Sequence, residues 1–324
     1  MIFIQICSFC HMDFDQFDEN DFIGGCILDN DIEEFQRLLP NIMPHELYYF
    51  ACCENGRFEM LQMLPSNYML LDSNNRNLLH YACENGHEDI AYHLINVEPQ
   101  LGTSSDNNGD YPFHLACEGD HIKIAMYLID IFPQMLHMEP NPNSGSCLNA
   151  VLLHPITEES LVLIKQIVSN NPVLLHVPRY TQYPLFQLFS IEQNWHLRNV
   201  CLQLFLEYNC PVGLKDDSNK NILSYVIKLN NAELTVAFIN RGVNINEQDN
   251  HGNSPLHDYY HAATSSLYVE RDFAYIPTVI NWSLTNKNGE SVEKLKNLAV
   301  SINHSLGTKR RRNYENLTNK KPVQ

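Results

Sequence analysis

Two stretches of this chain match in frame 34 residues apart. Asp72-Ser-Asn-Asn-Arg-Asn-Leu-Leu-His-Tyr-Ala-Cys-Glu-Asn-Gly-His87 pairs with Asp106-Asn-Asn-Gly-Asp-Tyr-Pro-Phe-His-Leu-Ala-Cys-Glu-Gly-Asp-His121. A third copy, Asp249-Asn-His-Gly-Asn-Ser-Pro-Leu-His257, keeps the first half. Upstream, Cys52-Cys-Glu-Asn-Gly-Arg57 repeats the end of the block. A fixed period of this size limits the chain to architectures made by stacking one supersecondary unit.

Each block is followed by a second apolar stretch. Ile90, Ala91, Leu94 and Ile95 recur as Ile124, Ala125, Leu128 and Ile129, and again as Leu234, Thr235, Phe238 and Ile239. That spacing marks one face of a helix. Pro112, Pro184 and Pro255 fall where a first helical turn tolerates a missing N–H. Each unit therefore reads as a turn, a short helix, a tight link and a second helix. Such a unit cannot bury both faces alone, and stacking copies makes a solenoid.

These residues resemble the ankyrin-repeat family. Its Pro-Leu-His core stands as Pro112-Phe-His114, Pro255-Leu-His257 and Leu78-Leu-His80, and Gly86-His87 joins the two helices. The resemblance implies an all-α solenoid of seven to eight helix-turn-helix units over residues 20–300. Units are expected near 21–40, 41–71, 72–105, 106–140, 141–177, 178–215, 216–248 and 249–286, with a half-repeat at 287–300. The first unit reads as truncated, the units from Asn141 and Pro178 drift in spacing, and residues His261–Phe273 read as a longer internal loop. Residues 1–19 read as a poorly ordered lead and 301–324 as a basic disordered tail.

Hydrophobic residues make up 44% of the chain and charged residues 18%, enough apolar material for a packed core. No stretch reaches the roughly 18 apolar residues of a membrane span, and the first residues lack the pattern of a secretory signal. The ten cysteines then read as reduced thiols, and the location as cytoplasmic or nuclear. Charge is uneven. Residues 1–122 hold three arginines against 21 acidic residues, whereas the last 16 residues hold six basic ones and Glu315. The acidic part repels a nucleic-acid backbone and attracts basic partners.

No catalytic motif stands out. Cys7-Ser-Phe-Cys10-His11 matches a haem-attachment string or half a zinc site, but the export route and the second ligand pair are missing. Cys53, Cys83 and Cys117 share one repeat column and read as small core residues. His80, His114 and His257 recur in register, whereas a catalytic site would occur once. In the family, this histidine bonds backbone between neighbouring units. There is no phosphate loop, nucleophile elbow or metalloprotease string. No catalytic residue, metal or cofactor is expected.

The resemblance points instead to a groove. By family position its lining would be Glu54, Ser73, Asn74, Arg76, Glu84, Asn85, Asn107, Asn108, Asp110, Glu118, Asn250, His251 and Asn253. Glu54, Glu84 and Glu118 would form an acidic ladder. The expected function is a monomeric, non-enzymatic scaffold binding a protein partner with a basic segment, without nucleic-acid or membrane binding by the repeats. Two alternatives stand beside it. One is a regulatory or enzymatic site in the irregular repeats 141–216, where Cys147, His154, His176, His196 and Cys201 lie. The other is a nuclear adaptor directed by Lys309, Arg310, Arg311, Arg312, Lys320 and Lys321, which resemble a two-part nuclear-import signal.

Overall fold

The structure is a computed structural model that describes residues 22–41, 45–137, 145–190, 194–229, 231–265, 276 and 278–302. Its regular elements there are all helical, joined by turns and four isolated antiparallel bridges. The chain falls into two compact units, Met1–Asn141 and Pro142–Gln324.

The first unit holds four helix pairs: α1 (Phe22–Asp29) with α2 (Ile32–Leu38), α3 (Glu46–Asn55) with α4 (Phe58–Met63), α5 (Leu78–Glu84) with α6 (Glu88–Val97), and α7 (Pro112–Glu118) with α8 (Ile122–Ile131). Helices α1, α3, α5 and α7 pack in sequence as an inner row; α2 packs on α4 and α6 on α8 as an outer row. The local chemistry sets the starts. Asn77 caps α5 by accepting from the Leu79 and His80 N–H groups, and Pro112 opens α7 where its missing N–H costs no bond. Gly56 ends α3 in the left-handed region with φ 68°.

Packing follows the apolar period. Ile90, Ala91, Leu94 and Ile95 of α6 are buried, as are Ile124, Ala125, Leu128 and Ile129 of α8. Each large aliphatic side chain removed from water in this way contributes about 1.5–3 kcal/mol before entropy is counted. The inner helices bury nearly every residue, because neighbours flank them on both sides.

The second unit follows the same plan less regularly. Its elements are α9 (Cys147–Val151), α10 (Glu158–Asn170), α11 (Pro184–Gln187), α12 (Trp195–Glu207), α13 (Leu223–Val226), α14 (Ala232–Asn240) and α15 (Pro255–Ser265), then a helix over 292–302. Here α10, α12 and α14 pack in series, as do α9 with α11 and α13 with α15. The inner helices α9, α11 and α13 are only one turn or slightly more. Pro155 follows α9 closely and disfavours further helix before it. Leu234, Thr235, Phe238 and Ile239 of α14 are buried as the period requires.

One boundary differs from the sequence reading. The loop expected from His261 begins inside a helix, since α15 continues to Ser265. Tyr259, Tyr260 and Ala263 are buried, so the apolar face carries the helix past the point where the repeat match ends. The segment 266–275, the lead 1–19 and most of the tail, 303–324, lie outside the described residues.

Candidate interaction surface

Every regular finger is built on one acidic or amide side chain. Oδ1 of Asp72 accepts from the N–H groups of Asn74 (2.8 Å) and Arg76 (2.7 Å). Asp106 does the same for Asn108 and Asp110, Asp216 for Ser218 and Lys220, Asp249 for His251 and Asn253, and Asn286 for Asn288 and Glu290. A side chain that mimics a backbone turn fixes the finger locally. The turn needs a left-handed residue, supplied by Asn75, Gly109, Asn219, Gly252 and Gly289.

Neighbouring fingers are joined through backbone. The N–H of Asn107 donates to the Asn74 carbonyl at 2.9 Å, that of Asn250 to Ser218 at 3.0 Å, and that of Lys287 to His251 at 3.0 Å. The Asn107 side chain donates to the Ser73 carbonyl. The backbone groups of Ser73 and Asn74 are thus partly spent on the stack, while the side chains of Ser73, Asn107, Asn108, Asn250 and His251 lie at exposed positions. Asn74, Arg76 and Asn253 are half-buried, and Asn85 is exposed at the end of α5.

Asp110 departs from the expected groove lining. It is 6% exposed, and its carbonyl receives Nε2 of His80 at 3.2 Å. Asp110 therefore serves the stack, while Asn107 and Asn108 of the same finger lie at exposed positions.

The glutamate column is also more engaged than a ladder of solvated carboxylates. Nη2 of Arg76 donates to Oε2 of Glu84 at 2.5 Å, and the guanidinium lies 4.8 Å from the Tyr81 ring centroid. Tyr81 in turn donates its hydroxyl to Oδ2 of Asp72. Finger and inner helix are locked through these four residues. Oε2 of Glu54 is enclosed by protein, and Glu118 is half-buried. The backbone carbonyls of Glu54 and Glu84 accept from His87 and His121. Arg57 occupies the same register one unit earlier and donates to the carbonyls of Ile27 and Leu28.

The recurrent histidines sit inside the stack. Nδ1 of His80 accepts from the Asn77 N–H, which leaves Nε2 to donate to Asp110; His257 uses Ser254 and the Glu290 carbonyl in the same way. Burial lowers the pKa of His80 to about 4 and also lowers those of His114 and His257. They are neutral hydrogen-bonding spacers.

The thiols of the central repeats offer no accessible nucleophile. Cys147 and Cys201 are buried, and desolvation raises both pKa values to about 12. His176 and His196 lie at exposed positions and His154 is half-exposed. Cys53 and Cys83 are closed off, and burial pushes their thiols well up. No group of three His, Cys, Asp or Glu side chains is placed to hold a metal among the described residues. No helix among them is long and apolar enough to cross a membrane. Cys7, Cys10 and His11, together with Lys309, Arg310, Arg311, Arg312, Lys320 and Lys321, fall outside those residues.

Sequence reading missed two features. The fifth finger position is an electrostatic joint: Arg76 pairs within its own repeat, whereas Lys220 reaches Asp258 of the next, at 2.8 and 2.9 Å. The charges were visible, but not the direction in which their side chains turn. The other is a shortened finger in the second unit. Bridged pairs Leu71–Asn77, Lys215–Asn221 and Thr285–Ser291 each enclose five residues, but Arg179–Gln182 encloses only Tyr180 and Thr181. No Asp heads that turn, so the repeat signature gave no frame for it.

Stacked helix pairs with laddered fingers and buried, backbone-bonded histidines define a helical repeat protein. The comparisons agree for part of the chain: residues 47–137 match the family model for ankyrin repeats in three copies, so that stretch is built of ankyrin repeats. It is similar to the solved ankyrin repeat domain of human ASB11, at 20% identity, over 64% of this chain and 90% of that one, with a TM-score of 0.46. No curated protein matches the sequence. Ankyrin repeats in general mediate protein–protein interaction.

Proposed function

We propose that this protein is a non-enzymatic, monomeric interaction scaffold whose first unit takes a basic segment of a protein partner. The observation that carries the reading is the fate of its cations. The first 122 residues contain three arginines, and each is committed internally: Arg37 to Glu34, Arg57 to the carbonyls of α1, and Arg76 to Glu84. Carboxylates of that unit such as Glu46, Glu59, Asp89 and Asp120 lie at exposed positions and are left to face solvent and partners. Oriented carboxylates of one sign steer and select a cationic segment.

Contacts would come from the exposed tips Ser73, Asn107 and Asn108 and from Asn85 and Glu118 beside them. Glu84 contributes less than its position in the column suggests, because Arg76 already neutralises it.

The test is titration of the isotope-labelled full chain with an oligo-arginine peptide, followed by amide shifts. We expect shifts at Asn107, Asn108 and Glu118, and binding about tenfold weaker as salt rises past the Debye regime of about 0.1 M. Glu118→Lys should weaken binding further with the helical signal unchanged. Salt-independent binding, or none at these amides, would remove the basic partner from the reading.

A further inference from the structure

Tyr180 is the backbone outlier among the described residues. Among the described residues, every other position with positive φ is Gly, Asn or Asp, whereas Tyr180 holds φ 53°. A bulky side chain is strained there, and the first central position of a two-residue hairpin is one that glycine fills readily. Burial does not offset the strain, because Tyr180 is 77% exposed. Among the described residues the ring makes no aromatic or hydrogen-bonding contact that would explain its presence.

The turn beneath it is held from several sides. Arg179 and Gln182 exchange backbone hydrogen bonds at 3.0 and 2.9 Å. The Gln182 side chain donates to the Ser190 hydroxyl at 2.6 Å. Thr181 donates its hydroxyl to Oδ2 of Asp217 at 3.4 Å, which brings an exposed carboxylate to the residue next to the ring. The hydrogen-bonded turn thus holds an exposed aromatic ring one residue from a side chain that contacts an exposed carboxylate. Strain of this kind persists where the surrounding structure over-determines it and clusters at ligand clamps.

We propose that Tyr180 is an aromatic anchor for an arginine- or lysine-bearing segment of a protein partner, the cation seated on the ring face and paired with Asp217. The electron-rich face attracts a cation, and the adjacent carboxylate selects it over a neutral side chain. Rigid, exposed aromatic residues are the common high-energy anchors of interfaces. The site lies in the second unit and uses none of the residues of the acidic surface proposed above.

The same oligo-arginine titration tests it at different nuclei, with a glycine–serine peptide of equal length as the uncharged probe. We expect the amides of Thr181 and Asp217 to shift with the arginine peptide only. The affinity read there should fall about fivefold or more in Tyr180→Asn and in Asp217→Asn, and stay within about twofold in Tyr180→Phe. Tyr180→Asn should unfold at the same urea concentration as the parent or a higher one, because Asn tolerates the left-handed region. Unchanged affinity at Thr181 in Tyr180→Asn would overturn the proposal, and so would a lowered unfolding midpoint, which would make the ring a structural residue. Shifts confined to Asn107, Asn108 and Glu118 would sink this site and leave the first-unit reading standing; the reverse pattern would do the opposite.

Discussion

Nε2 of His80 donates to the carbonyl of Asp110 at 3.2 Å and ties one inner helix to the finger of the following repeat. Nδ1 of the same ring accepts from the Asn77 N–H, a bond that only the neutral imidazole makes.

This makes the stack acid-sensitive in a defined window. His80 is depressed to about 4 when folded and ordinary when unfolded, so the unfolded chain gains a proton first as pH falls. The contribution is complete above about pH 6.5 and is lost downward to about 4, at about 1.4 kcal/mol per pH unit. His114 and His257 shift in the same direction. Urea midpoints at several pH values should show His80→Asn destabilised at pH 7, with its gap to the parent narrowing as pH falls. A gap constant over that range would mean that His80 is not held neutral.

The Arg76–Glu84 pair is half-sheltered, with side chains 15% and 37% exposed. A double-mutant cycle with Arg76→Ala and Glu84→Ala should give a coupling of about 0.5–1 kcal/mol, smaller in high salt. Arg76→Ala alone should cost more than Glu84→Ala, because it also strips the cation from the Tyr81 ring. Equal single costs and no coupling would reduce the pair to a surface contact.

Two glycines separate backbone strain from crowding. Gly86 and Gly109 have φ 76° and 87°, but an added methyl at Gly86 would overlap the His121 ring, whereas Gly109 has open space. Gly109→Ala should cost about 1 kcal/mol, the strain alone. Gly86→Ala should cost clearly more and loosen the His121 bond to the Glu84 carbonyl. Thermal unfolding of the two variants side by side decides it; equal losses would mean that the His121 ring yields without penalty.

Buried thiols should be silent in the native protein. A short iodoacetamide pulse with peptide mapping should leave Cys83, Cys147 and Cys201 unmodified until urea opens the fold, since all three are buried and desolvated. Fast native labelling of Cys147 or Cys201 would revive a thiol-based site in the central repeats.

Sequence alone determined the repeat, because its signals are local. The Asp-headed turns, the Pro at the first helical position and the apolar faces of α6, α8 and α14 each follow from residues within a few places of one another. The 34-residue period then forces stacking, since no single helix pair can bury its own apolar faces. The finger positions were legible on the same basis. Tertiary structure alone decided which side chains those positions leave for a partner. Asp110 is drawn inward by a histidine 30 residues away, Glu84 is engaged by Arg76 from across the finger, and Lys220 turns to Asp258 in the next repeat. The shortened finger at Tyr180 escaped for a related reason. It lacks the Asp that writes the turn into sequence, and its pairing is set by the Arg179–Gln182 bridge and by the contact with Asp217. A periodic pattern specifies the backbone frame, whereas the charge and exposure of each side chain depend on neighbours that come together only when the repeats stack.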